Sequence, residues 1–215
     1  MKKRLYVAYG SNLNIRQMAH RCPTAKMYGT GTIDDYELQF KGALIGAYAT
    51  IAPKAGASVP VAIWEIKPRD ERALDIYEGF PTHYYKQNIS VNMDNGDGTH
   101  GLPSEVTAMV YIMDQRMTFG TPSRHYLQTV HEGYLDCGLD TTALSQALHN
   151  NILRCHGVTQ IPELFVPPDD DIWEDTAPLA KELGDDCGEG LGWDDESPDE
   201  QDGDELANDF EQTFG

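Results

Sequence analysis

Along the first 113 residues the apolar side chains come in short β-rich runs broken by glycine, proline and acidic pairs. From residue 122 they recur at helical spacing. Arg4 to Ala8 (RLYVA) predicts a strand that ends at the turn Tyr9-Gly10-Ser11. Asn14 followed three residues on by Gln17 has the form of a capping box and predicts a short helix to about His20, stopped near Pro23. Lys26–Thr32 and Tyr36–Phe40 read as two strands with Asp34-Asp35 as the turn between them. Tyr48–Ala52 and Val59–Ile66 read as two more, Pro60 hinting at an edge or a bulge. Pro68 suits the first turn of a helix that runs to about Glu78, with Gly79 placed to end it. Tyr85–Met93 and Val106–Met113 pair naturally across the turn signal Asp94-Asn95-Gly96-Asp97-Gly98. Helical stretches follow from Pro122-Ser123 to about Tyr134 and from Thr141 to Cys155. Many short strands interrupted by a few helices predict an α+β class, a small mixed β-barrel flanked by helices. The expected division is a folded domain over residues 1–140, a helical extension over 141–166 and an acidic tail over 167–215.

Charge sharpens that division. Of the 35 acidic residues, 19 lie between Pro167 and Gly215, together with a single base, Lys181. The rest of the chain holds 16 acids and 15 Lys or Arg, so the net charge of −19 is almost all in the last 49 residues. Such a segment, with only scattered Trp173, Trp193, Phe210 and Phe214, buries too little apolar surface to offset its chain entropy. Disorder is expected there, with a short helix near Leu179–Leu183. A near-neutral body has no basic stripe for phosphates, and a polyanionic tail repels nucleic acid and anionic lipid, so neither partner is expected. The tail would suit a basic protein partner. No run approaches the length of a membrane span, and the apolar run after Met1-Lys2-Lys3-Arg4 is too short for a secretory signal. Cys22, Cys137, Cys155 and Cys187 form no paired spacing and read as reduced thiols of a cytoplasmic protein. The seven histidines show no ligand spacing, so neither a metal nor another cofactor is expected.

Two features carry chemistry. Tyr9-Gly10-Ser11-Asn12 stands between a strand and a helix, where a glycine turn aims backbone N–H groups into one hollow and the helix start favours an oxyanion or carboxylate. An ordinary βα turn would use the same residues. Glu78, flanked by Tyr77 and Gly79-Phe80, sits at a helix end where an acid opposes the helix dipole. Burial there would raise its pKa and make it a better base near neutral pH, whereas a solvated acid would be inert.

In order and spacing, Tyr9-Gly10-Ser11-Asn12, Ala49-Thr50-Ile51, Leu74-Asp75 with Glu78-Gly79, Tyr111-Ile112-Met113, and Pro122-Ser123 with Tyr126 resemble the γ-glutamylcyclotransferase-like (AIG2-like) family. The resemblance runs from about Arg4 to about Leu148. The stretch from His131-Glu132-Gly133-Tyr134 to Cys137-Gly138-Leu139-Asp140 is similar to its bacterial and phage-type branch. The resemblance implies a small barrel with a cavity floored by the Tyr9–Asn12 turn and facing Glu78. It implies an acyltransferase or lyase that acts on a small-molecule γ-glutamyl conjugate, releasing an amine and closing the glutamyl unit to 5-oxoproline. In that reaction the substrate's own α-amine attacks its γ-carbonyl, so no protein nucleophile is needed, and Ser11 has no base partner evident in sequence. The implied roles are Glu78 as general acid and base, and Tyr9, Gly10, Ser11, Asn12 and Tyr85 as substrate-binding groups. Where some members carry a further pocket tyrosine, this chain has Gln115-Arg116-Met117; Arg116 is either a carboxylate ligand or simply exposed. A binding module that kept the barrel without turnover is the alternative.

Overall fold

The computed structural model describes residues 3–42, 46–94, 96 and 103–157. The expected tail and its Leu179–Leu183 helix lie outside the described residues, as does most of the turn at 95–98.

Five strands close into a mixed barrel, and a two-residue sixth is appended. The strands are β1 (Arg4–Ala8), β2 (Lys26–Gly42), β3 (Tyr48–Ile66), β4 (Tyr84–Met93), β5 (Glu105–Met113) and β6 (Thr118–Phe119). The order is β3-β1-β5-β4-β2-β6, and a further β2–β3 pairing joins the ends of the five-strand set. Only β1 and β5 run parallel, with Tyr6 opposite Met109. The other pairs are antiparallel, with Ala8 opposite Ala62 and Tyr84 opposite Met113. The apolar positions of these strands meet inside: Val7, Ile33, Phe40, Ile51, Ile63, Val91, Val110 and Ile112 are all essentially sealed from solvent. Removing that much apolar surface from water, at about 25 cal/mol per Å², is the main term holding the barrel closed.

Two expected breaks are absent. Asp34-Asp35 does not end a strand; β2 continues through it, and β3 likewise joins Tyr48–Ala52 to Val59–Ile66. The polar pair marks a bulge instead. Asp34 pairs with Ser58 and Tyr36 with Pro53, so Asp35 opposes an outward loop of β3. Asp35 adopts φ +59°, and its carboxylate accepts the Gly56 N–H at 2.8 Å. Local turn chemistry was present, but the ladder on both sides is long enough to override it. Pro60 is tolerated because β1 pairs with β3 only from Ala62 onward, leaving that flank of β3 without a partner strand from β1.

Among the described residues four α-helices dress the barrel: α1 (Ile15–Arg21), α2 (Pro68–Tyr77), α3 (Arg124–Asp136) and α4 (Thr141–Cys155). Their starts follow sequence. Asn14, Ser123 and Asp140 cap α1, α3 and α4 by accepting the N–H of Gln17, Tyr126 and Thr142. The expected capping box at α1 is half made, because the Gln17 side chain turns away to accept a hydrogen bond from Arg21. α4, expected as an extension, packs on the barrel: Asn151 accepts the Phe40 N–H at 3.0 Å and donates to the Gly120 carbonyl at 2.7 Å, and Leu144 and Leu148 are buried.

Candidate active site

The chain leaves β1 at Ala8 and turns sharply into a single 3₁₀ turn, Ser11–Leu13, before α1. The space at position 10 is tight. A Cβ there would lie 3.1 Å from the Ala49 Cβ and 3.2 Å from the Tyr126 hydroxyl. The turn is held from outside by α3. Gly133 lies so close that an added Cβ would meet the Asn14 nitrogen and the Leu13 Cβ, both at 2.6 Å. Asp136 accepts the Ile15 N–H at 3.0 Å, and Glu132 accepts from the Asn14 amide at 3.3 Å. The segment His131–Tyr134 is thus a buttress for the turn. A 3₁₀ turn leaves its leading N–H groups without acceptors inside the turn.

The pocket that Gly10, Ser11 and Asn12 line also holds Glu78. Glu78 caps α2 in a helical conformation, and Gly79 reverses the chain at φ +61°. The residue keeps a little surface, but its carboxyl is turned inward, where the Asn12 side-chain amide donates to Oε1 at 2.9 Å. Burial pushes the Glu78 carboxyl up to about 7; the Arg21 charge and the Asn12 hydrogen bond pull against that rise and only partly offset it. The carboxyl is therefore poised to take or give a proton near neutrality.

Five tyrosines complete the wall: Tyr6, Tyr9, Tyr84, Tyr111 and Tyr126 line the same pocket as Gly10, Ser11, Asn12, Ala49 and Glu78. Their hydroxyls are engaged in fixed bonds. Tyr9 donates to the Tyr111 carbonyl at 2.6 Å, and Tyr84 to the Ala49 carbonyl at 3.0 Å. Tyr126 accepts the Ala49 N–H at 3.1 Å, Tyr6 accepts from Asn12 at 2.8 Å, and Tyr111 donates to Asp75 at 2.6 Å. Burial above all, with Glu78 adding to it and Asp75 adding more than Glu78 at Tyr111, holds all five phenols above their ordinary pKa, so they stay neutral around the Glu78 carboxyl. The Ala49-Thr50-Ile51 motif is now intelligible: Ala49 is small beside Gly10 and pins two tyrosines, while Thr50 accepts the Met113 N–H at 3.0 Å.

Most of the residues singled out in sequence come together here: Tyr9, Gly10, Ser11, Asn12 and Glu78 share one pocket. Tyr85 does not join them. Successive strand residues face opposite sides, so Tyr84 lines the pocket and Tyr85 is 39% exposed on the other face of β4. Arg116 is also elsewhere, on the surface and paired with Asp114 at 2.5 Å. Sequence reasoning assigned no role to Tyr6, Tyr84 or Arg21. The parity of β4 relative to its buried Val91 and Met93 does not predict Tyr84, because the ladder with β5 is continuous and puts Tyr85, not Tyr84, on the face buried at Ile89, Val91 and Met93.

Residues 6–133 match the family described as gamma-glutamyl cyclotransferase, AIG2-like. The chain belongs to that family. The chain is 28% identical over 142 residues to the gamma-glutamylcyclotransferases of Bos taurus and Homo sapiens, spanning 63% of this chain and 72% of each relative. Among solved structures, a gamma-glutamyl cyclotransferase superposes with a TM-score of 0.58 at 22% identity, covering 83% of this chain and 99% of the other. YkqA from Bacillus subtilis gives 0.54 at 17% identity, covering 76% of this chain and 57% of that one. These superpositions support the barrel. The relatives are named as enzymes. Among the described residues no helix is long and apolar enough to cross a membrane.

Proposed function

We propose that this chain releases an amine or amino acid from a γ-glutamyl conjugate, forming 5-oxoproline, with Glu78 carrying the proton. The observation that carries the reading is the Glu78 carboxyl, pushed up to about 7 and hydrogen-bonded to Asn12 inside the pocket that Gly10 and Ser11 also line.

The chemistry needs little more than that. The substrate folds so that its α-nitrogen reaches its γ-carbonyl carbon, and the confining tyrosine wall favours that compact shape over the extended one. Glu78 takes a proton from the α-ammonium, freeing the lone pair that attacks the carbonyl. The carbonyl oxygen gains charge, which N–H groups of the Gly10–Asn12 turn are suited to stabilise. Collapse of the tetrahedral centre breaks the C–N bond, and Glu78 returns the proton to the departing amine. The attacking nitrogen, cationic once bonded to carbon, then gives its second proton to the freed Glu78 carboxylate, which passes it to the departed amine; the lactam keeps one N–H, the amine leaves as an ammonium, and a single carboxyl with a pKa near 7 serves each transfer in turn. Ser11 shares its hydroxyl with Tyr77 at 3.2 Å and has Arg21 at 3.3 Å; no base stands ready to activate it as a nucleophile among these contacts.

The test is release of 5-oxoproline from a panel of γ-glutamyl amines, amino acids and peptides. Wild type should turn over at least one of them, and Glu78→Gln should lose at least 100-fold in kcat, the scale of a removed general acid and base. A wild type inactive on the whole panel and indistinguishable from Glu78→Gln would instead support a binding protein that uses the same pocket, with the acidic tail engaging a basic partner.

A further inference from the structure

One polar side chain beside the pocket has no part in the chemistry above. Arg21, the last residue of α1, donates from Nη1 to Asn12 Oδ1 at 2.8 Å and to Ser11 Oγ at 3.3 Å. Its other terminal nitrogen donates to Gln17, and its guanidinium carbon sits 3.7 Å over the Tyr77 ring. The group is clamped on one face by an aromatic ring and at both ends by hydrogen bonds, which is costly for a long flexible side chain unless the place matters.

The consequence lies one residue away, at Asn12. A carboxamide has one end that donates and one that accepts, and the two are nearly isosteric. Asn12 must offer its N–H₂ end inward, because that end serves both Tyr6 at 2.8 Å and the Glu78 carboxylate at 2.9 Å. A flipped amide would set its oxygen against the carboxylate and repel it. A guanidinium is donor-only and never deprotonates in this range, so it accepts only the carbonyl end as a neighbour. Arg21 therefore forbids the flipped amide.

We propose that Arg21 is a positioning residue: by fixing the orientation of the Asn12 amide and lending its charge, it holds the Glu78 carboxylate in place. The inference rests on the reading of Glu78 as proton carrier. The groups facing Glu78 from the packed elements are Tyr6 of β1, Tyr9 of the turn, Tyr84 of β4, Tyr111 of β5, Tyr126 of α3 and Arg21 itself. The five phenols are neutral, so the guanidinium is the cation of the set.

The test follows the Glu78 carboxyl directly, by carboxyl ¹³C NMR over pH 4–10, its signal assigned by its loss in Glu78→Gln. Thermal melts run alongside to establish that each variant is folded. In Arg21→Met the midpoint should move up by about one unit, the lower end of the effect of a nearby opposite charge, because an amide separates the two groups. Arg21→Lys keeps the charge and the donor-only character, and should recover most of that shift even though it loses the stack on Tyr77. The acid limb of kcat/KM should move with the midpoint in each variant. A midpoint unchanged in folded Arg21→Met, or one as displaced in Arg21→Lys as in Arg21→Met, overturns the proposal. Should Arg21→Met not fold, Arg21→Gln carries the same expectation and the same refutation. A wild type without turnover would remove the proton-carrier reading yet leave the NMR result standing, so the two failures are told apart.

Discussion

Ionising Glu78 inside its pocket should cost the protein stability, and Glu78→Gln is the perturbation that exposes this. In the unfolded chain the carboxyl titrates near its ordinary 4.5, and in the folded protein near 7. A group whose folded pKa is raised favours the native state fully below the unfolded value, and that advantage is lost as pH rises through the folded one. The relevant window is therefore pH 4.5 to 7. Within it the loss accumulates at about 1.4 kcal/mol per pH unit. Worked through, the native state of the wild type is penalised by under about 1 kcal/mol at pH 5 and by about 3 kcal/mol at pH 8. Glutamine has nearly the same shape, can still accept from Asn12, and carries no charge. Urea unfolding of both proteins at pH 5, 6, 7 and 8 should then show Glu78→Gln gaining on wild type as pH rises and levelling off above about 7, by a total of roughly 2–3 kcal/mol. A stability difference that stays flat across this range, or a variant that loses ground at pH 8, would refute the burial argument. A site that gains stability on losing its functional acid is also what a stability–activity trade-off predicts.

The remaining expectations concern the walls of the pocket. Tyr84→Phe leaves the buried Ala49 carbonyl without its 3.0 Å donor and should cost about 1–3 kcal/mol in denaturant unfolding along with turnover, while Tyr85→Phe should change either by no more than about 0.5 kcal/mol. Equal effects would mean that the two faces of β4 are misassigned. Asn12→Ala removes the hydrogen bond that lowers the Glu78 pKa, so the acid limb of kcat/KM should move to higher pH; a limb that moves down, or stays, would show that Asn12 does not serve the carboxylate. Gly133→Ala forces a Cβ to within 2.6 Å of the Asn14 nitrogen, and should destabilise by about 1–3 kcal/mol and depress kcat without touching any pocket side chain. Unimpaired activity in that variant would mean that α3 does not buttress the turn.

The barrel was legible because its apolar runs are β-rich and its helix caps are written locally in Asn14, Ser123 and Asp140. The length of β2 and β3 was not. Asp34-Asp35 has good turn chemistry, and only the pairing of residues on both sides of it, a tertiary fact, turns that signal into a bulge. At the site, Glu78 and the Tyr9–Asn12 turn could be named in advance, since glycine in a βα turn and an acid at a helix end are local oddities. Tyr84 and Tyr85 could not be told apart: they are chemically identical, and the pocket lies on the face of β4 opposite the one buried at Ile89, Val91 and Met93. Arg21 was invisible for another reason. Its partners include Tyr77, 56 positions away, and an arginine in the last turn of a short helix already has a sufficient explanation in the helix dipole.

The proposed reaction requires one carboxyl to be a base with an elevated pKa. The direct measurement is kcat/KM of the wild type against pH, from 5 to 9, on whichever γ-glutamyl compound it turns over best. The profile should climb about tenfold per pH unit on its acid side and bend near 7, where Glu78 becomes ionised. A bend at the ordinary carboxylate range near 4.5, or a profile kept intact in Glu78→Gln, would contradict it.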